Sequence, residues 1–109
     1  MKIQPLYLNG QYVTTKDFLS VVNPATGEVF AHMSTCGRAV VAQALADAHA
    51  AFASWRKVVA RTRGDFLLKI AAEVERRKDE IARTITLENG KPLAQSQSEV
   101  AMSVDHLRW

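Results

Sequence analysis

Val21-Val22-Asn23-Pro24-Ala25-Thr26-Gly27-Glu28-Val29-Phe30-Ala31-His32-Met33 decides the character of the first third of the chain. Two β-branched residues lead into a turn in which Pro24 restricts φ and Gly27 is free to take a left-handed conformation; the run that follows resumes an extended pattern. The reading is strand, turn, strand. Upstream, Leu6-Tyr7-Leu8, Asn9-Gly10 and Gln11-Tyr12-Val13 repeat the theme. Asn-Gly between two short β-prone runs suits a two-residue hairpin loop, because both residues tolerate positive φ. Isolated hairpins are marginal in water, so both units require a sheet or a helix layer to cover them.

From Arg38 onward the period changes. Val41, Leu45, Ala48, Phe52 and Trp55 fall on one helical face, which predicts a helix to about Trp55 with that face in the core of its own domain. Two heptads are too few for a coiled-coil seam. A second helix is expected from Thr62 as N-cap, with Asp65 as the capping acid and Phe66, Leu67, Ile70, Ala71 and Val74 buried. Asp65 with Lys69, Glu73 with Arg77 and Asp79 with Arg83 lie at i,i+4 on the polar faces, and Ile81 and Ile85 point inward from the third helix. Asn89-Gly90 should stop that helix, with Pro92 just beyond. A last helix follows, presenting Leu93, Val100, Val104 and Leu107, and runs to Trp109 with no capping signal, which reads as truncation. The segment is expected to supply hairpins over residues 1–36 and about four helices over 37–109.

At 109 residues the chain holds one small domain at most, and 48% hydrophobic with 23% charged residues is an ordinary globular composition, unlike a disordered chain or a disulfide scaffold. The net charge of +3 is small and mixed along the helices, which argues against a nucleic-acid partner. A single Cys36 excludes an intramolecular disulfide, and Met1-Lys2-Ile3-Gln4-Pro5 lacks the apolar core of a signal peptide, so a cytoplasmic protein is expected. The longest apolar stretch, Ala39 to Ala53, is interrupted by Gln43, Asp47 and His49, short of the about 20 residues that cross a bilayer. No membrane partner is expected.

Cys36 invites a reading as a nucleophile with His32, His49 or His106 as its base, since a thiolate needs a base or a positive field to form near neutral pH. Its place in Ser34-Thr35-Cys36-Gly37, a strand-to-helix connection, favours a small residue without chemistry. The histidines are far apart and no HExxH or CxxC pattern exists. Gly10, Gly27, Gly37, Gly64 and Gly90 build no GxGxxG, and Gly90-Lys91-Pro92 lacks the remainder of a Walker loop. Arg56, Lys57, Arg61 and Arg63 read as a solvated connector between helices rather than a basic binding patch. Arg76-Arg77-Lys78 is balanced by Glu73, Glu75, Asp79 and Glu80 and reads as a solvated helical surface.

Four stretches together resemble the N-terminal part of the aldehyde dehydrogenase superfamily. They are Leu8-Asn9-Gly10-Gln11-Tyr12-Val13, Val22-Asn23-Pro24-Ala25-Thr26-Gly27-Glu28-Val29, Ala48-His49-Ala50-Ala51-Phe52-Ala53-Ser54-Trp55 and Thr86-Leu87-Glu88-Asn89-Gly90-Lys91-Pro92-Leu93. Their order and spacing match the family across essentially the whole chain, and the segment from Glu88 to Val100 looks like the succinate-semialdehyde-oxidising branch. The resemblance implies an α/β parent, and oxidation of an aldehyde to a carboxylic acid with NAD or NADP, through a thiohemiacetal and a thioester on a cysteine. A glutamate base activates the hydrolytic water and an asparagine amide holds the oxyanion. In the family those groups lie after the region matched here, as does the dinucleotide fold. No catalytic or cofactor-binding residue is therefore carried onto this chain, Cys36 included, and the chain alone is expected to be inactive.

The resemblance also implies a monovalent-cation site. Many members use a backbone carbonyl just before the Asn-Pro turn and a carboxylate in the helix-end motif, and the matching positions are Val22 and Glu88. Several relatives have Asp where Glu88 stands, and a solvated helix-end carboxylate is the plain alternative. Dimers and tetramers of the family imply homo-oligomerisation of the parent. A second function class stays open on the residues alone: a small helical protein-interaction module without catalytic activity. It accounts for the apolar stripes but not for Asn-Pro-Ala-Thr-Gly or Gly-Lys-Pro.

Overall fold

A computed structural model describes residues 3–109 as two compact units, one of residues up to 22 with 28–58, the other of residues 23–27 with 59–109. In the first, β1 (Ile3–Gln4), β2 (Leu6–Leu8), β3 (Gln11–Val13), β4 (Phe18–Val22) and β5 (Val29–Ser34) precede α1 (Arg38–Trp55). β2 and β3 pair antiparallel with Leu8 opposite Gln11, so the loop is Asn9-Gly10 alone. Both loop residues have positive φ, 46° and 79°, as a type I′ turn requires. Tyr7 and Tyr12 face each other across this pair, ring centroids 5.1 Å apart. The other sheet has the order β1-β5-β4, with β4 antiparallel and β1 parallel to β5.

β1 is absent from the sequence reading because a two-residue strand held by a distant partner leaves no local period. The buried Ser34 at the end of β5 accepts a hydrogen bond from the Thr15 amide at 3.2 Å, and the Thr15 hydroxyl donates to the Asp17 and Thr35 carbonyls, fixing the entry to β4. α1 spans the residues its period predicts, yet none of them is buried. Val41, Leu45, Phe52 and Trp55 remain 43–67% exposed, so the expected core face of this helix is uncovered within the chain.

The second unit contains α2 (Ala60–Arg76), α3 (Lys78–Asn89) and α4 (Leu93–Arg108), with α4 packed on both α2 and α3. α2 begins two residues before the expected Thr62. Its N-cap is Val59, which makes no side-chain cap bond; the Val59 carbonyl accepts from the Arg63 amide and starts the ladder, leaving Thr62 and Asp65 inside the first turns rather than in a capping box. α3 ends where Asn89-Gly90 predicts, on Gly90 at φ 81°.

The core between these helices is narrow: Ala71, Ala82, Ser96, Val100 and Val104 are at most 5% exposed. Ser96, Val100 and Val104 form one i,i+4 stripe on α4, and the alanines of α2 and α3 allow close approach. The expected stripe is half right. Val100 and Val104 are buried, Leu93 is 42% exposed, and the polar Ser96 takes a core position because its hydroxyl is hydrogen-bonded to Thr86 Oγ1 at 2.8 Å. On α2 only Ala71 is buried, while Phe66, Leu67 and Ile70 stay nearly half exposed.

The accessible surface is 8648 Å² for 12.1 kDa. A compact monomer of that mass exposes about 6,000 Å², and even two separate globules of half the mass expose only about 7,200 Å² together. Among the described residues no helix is long and apolar enough to cross a membrane.

Candidate functional site

The Asn-Pro-Ala-Thr-Gly turn and the α3–α4 corner meet in the second unit. Asn23 organises the turn from both of its oxygens. Its side-chain Oδ1 accepts from the Ala25 amide at 2.9 Å, and its carbonyl accepts from the Thr26 and Gly27 amides at 3.3 and 2.8 Å. Gly27 closes the turn at φ 75°.

At the corner, the Gly90 amide donates to the Thr86 carbonyl at 2.8 Å, closing α3 with a left-handed residue. A Cβ placed on Gly90 would lie 2.8 Å from Pro24 Cγ. Glycine is thus required there twice, for its positive φ and for the approach of the proline ring. Lys91 pairs with Glu99 on α4, and the Thr86–Ser96 hydrogen bond ties the last turn of α3 to the first turns of α4. The Gly-Lys-Pro motif therefore serves a helix corner: glycine ends one helix, lysine spans to the next, and Pro92 is the N-cap of α4.

Val22 is the last residue of β4, opposite Val29, beside a register irregularity between Val21 and Val22. Glu88 lies in the last turn of α3, exposed, and its carboxylate makes no hydrogen bond or ion pair among the described residues. The two fall in different units. Among the described residues no three His, Cys, Asp or Glu side chains gather into a metal cluster.

Cys36 is exposed in the connection between β5 and α1. No hydrogen bond joins it to a histidine among the described residues. His32 on β5 has its Nδ1 3.2 Å from Ser20 Oγ and its ring against Phe18, centroids 4.6 Å apart. His49 is exposed on α1 and His106 is exposed on α4, in the other unit.

The charged surfaces pair locally, with the bidentate contacts at i,i+3, while the charge of Arg77 also acts on Glu73 at the expected i,i+4 spacing. Arg76 makes a two-pronged contact with Glu73 at 2.8 and 2.6 Å, and Arg77 does the same with Glu80 at 2.9 and 2.6 Å. Arg77 caps the end of α2 and precedes α3, so its guanidinium reaches forward to the new helix. The hydrogen bonds from these arginines hold both glutamates below the usual carboxylate range, and Glu73 in turn raises Arg76. Arg108 on α4 pairs with Glu75 on α2. Lys69 lies over the Phe66 ring, 5.7 Å from its centroid, and Arg56 over Phe52 at 5.9 Å. These surfaces are solvated, and beside the Arg108–Glu75 pair an open cavity of about 350 Å³ is lined by Lys78, Asp79, Gln97, Val100, Val104 and Asp105.

Short strands leading into four helices, with an Asn-Pro turn packed on the glycine of a helix corner, define the N-terminal part of an α/β fold. Residues 12–109 match the aldehyde dehydrogenase family, and the chain belongs to that family. Over 105 residues it is 36% identical to the malonate-semialdehyde dehydrogenase of Listeria innocua serovar 6a, a match covering 94% of this chain and 22% of that protein. The solved lactaldehyde dehydrogenase of Escherichia coli superposes with a TM-score of 0.90 at 33% identity, covering 97% of this chain and 23% of that one. A betaine aldehyde dehydrogenase from Staphylococcus aureus, solved with NAD+ and a modified cysteine, gives 0.92 at 28% identity over 96% of this chain and 22% of that one. The chain spans little more than a fifth of the length of these relatives.

Proposed function

We propose that this chain is the N-terminal part of the cofactor-binding domain of an NAD(P)-dependent aldehyde dehydrogenase, and that it contributes scaffold while the cysteine chemistry resides elsewhere in the enzyme. The observation that carries this reading is the pairing of a family match over residues 12–109 with a described site made only of turn and helix-corner contacts. The malonate-semialdehyde relative supports a semialdehyde as substrate, and the NAD+-bound betaine aldehyde dehydrogenase supports a nicotinamide cofactor. When bound, that cofactor supplies the hydride acceptor. The residues of this chain do not fit its phosphates, since the described glycines lie singly in turns, at helix ends or, for Gly64, inside α2, and build no phosphate cradle.

The work of this chain in that reading is mechanical. Its exposed apolar faces on α1 and α2 cover the rest of the enzyme. On the family resemblance, the Val22 carbonyl and the Glu88 carboxylate are the proposed ligands of a monovalent cation. Both are oxygen donors, as a hard cation prefers, and Glu88 has no competing partner among the described residues. Homo-oligomerisation is proposed for the whole enzyme only.

The test is to incubate the purified 109-residue chain with NAD or NADP and a semialdehyde such as succinic semialdehyde. The expected result is no aldehyde-dependent formation of reduced cofactor. Sustained turnover that Cys36→Ala abolishes would overturn the reading.

A further inference from the structure

We draw no further inference here: the strongest candidate, the exposed apolar face of α1 carrying Val41, Leu45, Phe52 and Trp55, has nothing in the structure to show what covers it beyond the rest of the enzyme already proposed.

Discussion

Replacing Gly90 with alanine tests the helix corner directly, because two separate costs meet at that one residue. The first is conformational: at φ 81° an L side chain crowds its own backbone, costing about 1–2 kcal/mol. The second is steric, since the new methyl would sit 2.8 Å from Pro24 Cγ, in a ring that cannot swing aside as a flexible side chain does. Overpacking of this kind costs about 1–3 kcal/mol. Gly27→Ala is the matched control, with φ 75° and nothing within 4 Å of its Cβ. Both substitutions restrict the unfolded chain equally, so that benefit cancels in the comparison. Gly90→Ala should therefore cost about 1–3 kcal/mol more than Gly27→Ala. Urea unfolding followed by circular dichroism, with sucrose present to favour the folded chain, reads the difference as a shift in midpoint. The double variant Gly90→Ala with Pro24→Ala should recover much of it, because removal of Cγ leaves the nearest remaining proline carbon, Cβ, at an ordinary 3.7 Å. Equal costs at Gly27 and Gly90, or strictly additive costs in the double variant, would refute the assigned Pro24 contact.

Two further outcomes follow from the surface. The isolated chain should bind a hydrophobic dye such as ANS and sediment as a concentration-dependent mixture, since Val41, Leu45, Phe52 and Trp55 on α1 and Phe66, Leu67 and Ile70 on α2 are exposed. A dye-silent monomer with a sharp calorimetric melt would contradict that. Glu73 and Glu80 titrate below the ordinary 4.5 when folded, so their contribution is present above about pH 4.5 and is lost as pH falls through the lowered values. Helicity at the α2–α3 junction should accordingly decline on acidification below that point, and Glu73→Gln with Glu80→Gln should flatten the decline. A profile indifferent to both substitutions would show that the arginine contacts contribute nothing. Both carboxylates are more than half exposed, so the effect should be small and should shrink further in high salt.

What the sequence made legible is local. Asn9-Gly10 dictates its hairpin loop, Gly27 and Gly90 mark the positive-φ positions, and the period from Val41 to Trp55 sets the length of α1, because each depends on neighbours in sequence. What it hid depends on distant partners. β1 exists only through pairing with β5; Ser96 is buried only because Thr86 meets its hydroxyl; and the start of α2 moved to Ala60 without any capping side chain. Amphipathic spacing drew core faces on α1 and α2, yet Val41, Leu45, Phe52, Trp55, Phe66, Leu67 and Ile70 are exposed, because spacing carries no information on what covers a face. The site was legible in part. The motifs led to the Asn23 turn and the Gly90 corner, while the approach of Pro24 to Gly90 is a three-dimensional fact that no periodicity encodes.

A scaffolding role within an aldehyde dehydrogenase is what we propose for this chain. Its most direct test is to express the full reading frame that carries it and to measure aldehyde-dependent reduction of NAD and of NADP across a panel of semialdehydes. The account predicts one reduced cofactor and one carboxylate formed per aldehyde consumed, with the same protein silent when aldehyde is withheld. A folded, soluble product that reduces neither nucleotide with any aldehyde in the panel would contradict it.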